Sequence, residues 1–204
     1  MITSIQLYQA FELSINDYHL KDSVHTPLKN PFESQSIEYL LYHKNWIDTV
    51  QWHLEDIIRR TDISTDDFIS TKRWIDRSNQ ERTDLVEKID DKFILFFESL
   101  KVVKQENARM NSESIAWLVD RMSILMLKIY HMHEQTLRTD VDSTHLEKCN
   151  QKLGVLQEQK ADLGLCFDQL IEDIQKGIRF VKVYRQMKMY NDQSLNPELY
   201  KKAK

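Results

Sequence analysis

Apolar residues recur along most of this chain at intervals of three and four, the spacing that gives an α-helix one buried side. Five principal helices are expected. The first, about Ser4–His19, turns Ile5, Tyr8, Phe11, Leu13 and Ile15 inward. Residues 20–35 place Pro27 and Pro31 around a short polar stretch and read as a loop. Ser36 is placed to cap a second helix, about Ile37–Arg60, centred on Leu40, Ile47, Val50, Leu54 and Ile57. Ser64, Thr65 and Asp66 offer caps for a third, about Asp67–Lys104. On it Ile75, Asn79, Arg82, Val86, Ile89, Phe93, Phe96 and Leu100 alternate in steps of four and three, so one seam runs its length.

The polar stretch around Asn111 and Ser112 predicts a turn. The fourth helix, about Glu113–Arg138, is apolar on nearly every side, which marks the central helix of a bundle. On the fifth, Leu146, Cys149, Leu153, Leu156, Lys160, Leu163, Phe167, Leu170 and Ile174 form a long coiled-coil-like seam. Gly177 breaks or bends it. With three Gly and three Pro in 204 residues there is little turn material for strands and no Gly-rich loop to cradle a phosphate. The expected fold is therefore all-α, a single helical-bundle domain over residues 1–204, with 191–204 an irregular basic tail.

Charge adds less. The net charge is −4, yet residues 176–204 hold eight Lys or Arg against two acids. Lys176, Arg179, Lys182, Arg185 and Lys188, with Phe180, Tyr184 and Tyr190 between them, spiral around a helix and form no stripe, so no nucleic-acid partner is expected. No apolar run is long enough for a membrane span and the first residues lack a basic, apolar leader. Cys149 and Cys166 lie about 25 Å apart on one helix, beyond disulfide reach, and read as small core residues of a cytoplasmic protein.

Candidate chemistry rests on polar residues among apolar ones, since a buried charge is costly unless paired. Asp120, Arg121, Lys128, His131 and Glu134 share the little solvent-facing arc of the fourth helix, and Asn79 and Arg82 occupy seam positions of the third. Two readings follow: a buried ion network that fixes helix register, or a cleft that holds a small anionic ligand. On the second helix Asn45, Asp48, Trp52, Glu55, Asp56 and Arg59 cluster opposite the apolar centre, a solvated face in which Trp52 is out of place. No metal site is expected. No Glu precedes a His by three residues, His131 and Glu134 run in the reverse order, His131 and His133 point to different sides, and two separated thiols make no zinc site. Glu81/Asp84 and Glu87/Asp90 have a spacing that magnesium chemistry uses, but Glu81 and Asp84 project away from the seam. No nucleophile elbow is found, and neither cysteine is expected to have a histidine near it on its helix, so nucleophilic catalysis is not expected.

Four stretches, LYHKNWIDTVQWHLEDIIRR, KRWIDRSNQERTDLVEKID, LVDRMSILMLKIYHMHEQTLR and KVYRQMKMYNDQSLNPELY, together resemble the bacterial domain-of-unknown-function family four-two-five-four. The resemblance runs from the second helix to the end and departs from the usual first stretch at Trp52 and His53. It implies no activity, but it implies a cell-envelope sugar context, because members often sit near glycosyltransferase genes of lipopolysaccharide assembly. The family's recurring polar positions correspond to Asn45, Glu55, Asp56, Arg59, Asn79, Gln80, Arg82, Asp120, Arg121, Lys128 and Glu134. The expected function is binding of a phosphorylated or nucleotide-linked sugar by Asn45, Glu55, Asp56, Arg59, Asn79, Arg82, Asp120, Arg121 and Lys128, with magnesium brought in by the phosphate. The alternative is a non-enzymatic scaffold whose polar residues lock helix register, with a homodimer through the fifth helix.

Overall fold

The computed structural model describes residues 2–34, 36–187, 189 and 192–201. Lys188, Tyr190, Asn191 and residues 202–204, which belong to the expected basic segment and tail, lie outside the described residues. The chain is mostly helical: α1 (Ser4–His19), α2 (Ile37–Ile57), α3 (Thr65–Ser99), α4 (Ile115–Thr136), α5 (Ser143–Gln175) and a short α6 (Pro197–Tyr200).

Side-chain caps set where the long helices begin. Thr3 and Gln6 form a reciprocal capping box on α1. Ser36, Ser64, Ser114 and Asp142 each accept a backbone N–H at the start of α2, α3, α4 and α5. α2, α3 and α4 end earlier than expected. α3 stops at Ser99 because Lys101 turns left-handed (φ 52°) and donates its N–H to the Glu98 carbonyl at 2.9 Å.

α4 packs against α1, α2, α3 and α5, and its first half is buried all round from Ile115 to Leu127 apart from Trp117, Arg121 and Ile124. α2 is equally enclosed, with every residue from Leu40 to Val50 buried except half-buried His43. The main core joins Leu7, Phe11 and Ile15 of α1 to Ile89 and Phe93 of α3, Val119 and Met122 of α4, and Phe167 and Ile174 of α5. A second cluster of Tyr18, Tyr42, Trp46, Leu54 and Ile75 is covered by Val24 and Leu28 from the loop after α1.

Four expectations need correction. Ile5 and Leu13 point outward, because the buried stripe of α1 runs through Leu7, Tyr8, Phe11, Ile15 and Tyr18. Cys166 is exposed and only Cys149 is buried. Cys149, expected to have no histidine near it, has its Sγ 3.3 Å from His145 Nε2, because residues four apart share one face of α5. The α5 seam packs mainly within the chain, with Cys149, Leu153, Phe167, Leu170 and Ile174 buried, while Val155 and Leu165 of the same helix stay exposed. Finally, the chain carries two short strands, β1 (Arg109–Met110) and β2 (Arg179–Phe180), paired in parallel. Gly177 makes this pairing possible. Its φ of +70° turns the chain out of α5, and a Cβ there would lie 2.2 Å from the Val103 carbonyl oxygen. The released carbonyls of Gly177, Ile178 and Phe180 then accept from Gln105, Arg109 and Asn111.

Candidate functional site

Four charged side chains from three helices meet at the centre of the protein. Lys44 and Asp48 stand one turn apart on α2 and are fully buried. Arg82 reaches in from α3 with a quarter of its side chain exposed, and Asp120 comes from α4. Lys44 Nζ pairs with Asp48 Oδ2 and lies 2.9 Å from Asp120 Oδ1. The Arg82 guanidinium grips Asp120 through Nε at 3.1 Å and one terminal nitrogen at 2.8 Å to both oxygens. The same Nε is 3.0 Å from Asp48 Oδ1, but its N–H is aimed at Asp120, so that oxygen has an ionic neighbour without an aligned donor. Ser123 donates its hydroxyl to Asp48 Oδ2 at 2.6 Å and accepts from Asn45 Nδ2 at 3.0 Å. Two acids and two bases balance in charge, which is what makes such burial tolerable.

The two carboxylates are electrostatically unlike. Burial pushes Asp48 above the usual carboxylate range, and Lys44 and Arg82 offset only part of that. Burial works against ionised Asp120 too, but there Lys44 and Arg82 prevail and hold it low. The Arg82 guanidinium loses hydration, yet Asp48 and Asp120 outweigh that loss and strengthen its hold on its proton.

Cavities open around this quartet. A recess of about 290 Å³ is lined by Asp48, Gln51, Trp52, Glu55, Arg59 and Arg82, together with Asp56 and Ile124. A second, against α3 and α4, takes in Asn79, Arg82, Trp117 and Asp120. A third takes in Asp120, Arg121, Ile124 and Lys128. The largest of these four, a groove of about 670 Å³ between α2, α4 and α5, shares Trp52 and Asp56 with the first and Lys128 with the third. Glu55 and Asp56 therefore face a recess that adjoins those of Asp120, sharing Arg82 with the second and Ile124 with the third.

The structure gathers the sequence candidates into one region but gives them different work. Asn45 is buried, donates to Ser123 and lines none of these cavities. Arg82 and Asp120 are committed to the quartet. Arg59 is held by Glu55 at 2.6 Å and Arg121 by Glu113 at 3.3 Å, both exposed pairs. Asn79 accepts from Gln51 Nε2 at 2.8 Å. Among the described residues, Lys128 and Asp56 carry no ion pair and look onto the groove.

Several residues escaped the sequence reading. Lys44 and Ser123 were missed, although a Lys-x-x-x-Asp pair inside the apolar run Leu40–Val50 is a usable signal for a buried ion pair. Gln135 of α4 and Gln151, Lys152 and Val155 of α5, which complete the groove beside the seam residue Leu156, carry no local signal, because they come together only once α5 docks on α4.

The family model described as "Protein of unknown function (DUF4254)" matches residues 38–183, well over half of the chain and all of this site. No curated protein and no solved structure matches the chain. Among the described residues no helix is long and apolar enough to cross a membrane.

Proposed function

We propose a function for a chain that belongs to the family described as Protein of unknown function (DUF4254): binding of a phosphorylated or nucleotide-linked sugar in the groove between α2, α4 and α5. One observation carries this reading. The groove combines a half-buried indole, Trp52, with two ammonium groups, Lys128 and Lys152, that have no carboxylate within ion-pairing distance among the described residues. An unpaired cation on a groove wall is ready for an anionic oxygen, whereas a paired one must first give up its partner. The indole offers a flat apolar face to a sugar ring or base. Gln135, Gln151 and Asp56 supply the donors and acceptors that hydroxyl groups need. Asp56 is also placed to share a magnesium ion carried in with the phosphate. The reading extends to a cytoplasmic role in cell-envelope glycan metabolism.

A thermal-shift screen against glucose 1-phosphate, UDP, UDP-glucose and UDP-N-acetylglucosamine, each with and without magnesium, tests it. A ligand at a hundred times its Kd adds about 2.7 kcal/mol of stability. A selective rise in Tm that disappears in the Lys128→Ala/Lys152→Ala variant supports the reading, and a flat panel counts against it.

The buried quartet favours a second reading, the non-enzymatic scaffold. Lys44, Asp48, Arg82 and Asp120 satisfy one another from three helices, so register alone accounts for them. This role is compatible with a ligand in the adjoining groove and moves anion recognition from Arg82 to Lys128 and Lys152.

A further inference from the structure

Three histidines from three helices meet beside the groove. His19 closes α1, His53 lies near the end of α2, and His131 stands in the second half of α4. All three are half-buried, and one ring nitrogen from each falls within 4.8 Å of the other two. His19 Nε2 and His53 Nε2 are 3.2 Å apart.

The surroundings decide where the protons sit. The Ile15 carbonyl, which can only accept, lies 2.7 Å from His19 Nδ1, so Nδ1 carries the proton and Nε2 keeps its lone pair. The Glu134 carboxylate, 2.8 Å from His131 Nδ1, does the same for His131. His131 Nε2 is buried and has no hydrogen-bond partner. A proton shared between His19 and His53 satisfies those two and still leaves His131 Nε2 bare. A dication satisfies all three.

We propose that His19, His53 and His131 form a site for a divalent transition metal of the zinc type, with a fourth position open to Asp22 or water. Zinc–nitrogen bonds of about 2.0–2.1 Å in a tetrahedron place ligand nitrogens about 3.3 Å apart, which the His19–His53 pair already meets. Each ring is held by an aromatic neighbour. Tyr18 stacks on His53, Tyr130 on His19 and Trp52 on His131, with ring centres 5.1, 4.2 and 4.8 Å apart. The Ile15 carbonyl and Glu134 are the outer partners that orient metal-bound imidazoles. Asp22 Oδ1 is 3.7 Å from His53 Nε2. Imidazole nitrogens suit zinc, cobalt, nickel or copper and not magnesium or calcium, which take oxygen ligands. The expectation of no metal came from spacing within single helices, which a site assembled from three helices escapes. The site borders the groove through His131 but stands without the sugar-phosphate reading.

The test uses the full chain without a histidine tag, stripped with a chelator and titrated with zinc chloride by calorimetry, and in parallel with cobalt chloride followed by visible absorption. One zinc per chain is expected, with magnesium chloride silent and cobalt showing the intense bands of a four- or five-coordinate site. His53→Ala is expected to weaken zinc binding by about 100-fold or more, Glu134→Ala by about 10–100-fold, and exposed His133→Ala not at all. No zinc uptake by the parent chain, or equal affinity in His53→Ala, overturns the proposal. Should His53→Ala not fold, the cobalt spectrum of the parent decides, and a pale six-coordinate spectrum overturns it.

Discussion

Lys44 Nζ sits 2.9 Å from Asp120 Oδ1, a contact that joins the second helix to the fourth around a lysine with no solvent exposure. A buried ammonium holds its charge only through its partners, Asp48 on its own helix and Asp120 across the interface. Lys44→Met strips both acids of a cation and leaves them facing one another with Arg82 alone. Breaking a buried pair costs about 3–5 kcal/mol, and chemical denaturation of this variant is expected to show a loss in that range. Lys44→Met/Asp48→Leu, which removes a whole pair, is expected to lose less than the sum of the two single changes. Additive losses would mean that the two side chains do not act as a unit.

Asp120 also sets an acid limit. Its carboxyl is held below the ordinary 3.8 because Lys44 and Arg82 outweigh burial. A depressed folded-state pKa contributes stability that is fully present above the unfolded value and is lost as pH falls through the folded value. The stability gap between the parent and Asp120→Asn is therefore expected to stay level from neutral pH down to about 4, and to shrink as pH falls further. Urea midpoints for the two proteins across that range check it. A gap that widens in acid would show that Asp120 is not the low member of the pair.

Gly177 is the backbone counterpart. The left-handed conformation alone costs an alanine about 1–2 kcal/mol, and its Cβ would press on the Val103 carbonyl. Gly177→Ala is expected to destabilise by more than that backbone cost and to speed hydrogen exchange at Gln105, Arg109 and Asn111, which donate to the segment after α5. Unchanged exchange at those amides would mean that the strand pair does not depend on this turn.

How much of this was legible depended on whether a signal was local. The first helix has the bounds its pattern implies, Ser4–His19, and Ser36 and Ser64 cap the helices they precede. The apolar character of α4 correctly implied a helix surrounded by others. Spacing tells which side of a helix is buried but not which neighbour covers it. Arg82 and Asp120 could be singled out as polar residues at apolar positions, yet their partner Lys44 was hidden in an enclosed stretch of α2 read as having one solvated face. The α5 seam reads as one continuous stripe, and nothing in its own period says that α4 and α1 cover most of it. The three histidines, at 19, 53 and 131, share no spacing at all. Only the packing of α1, α2 and α4 brings them together.

The reading of the groove is tested most directly by calorimetric titration of UDP-glucose and of glucose 1-phosphate into the parent chain and into Lys128→Ala/Lys152→Ala. Both lysines are exposed, so the variant is expected to keep the parent's Tm. The account predicts saturable binding of at least one of the two probes by the parent chain and a loss of about tenfold or more in the variant, since charge-assisted bonds contribute about 1.5–3 kcal/mol each. Binding that is equally tight in both proteins, or no heat from either probe with the parent chain, would contradict it.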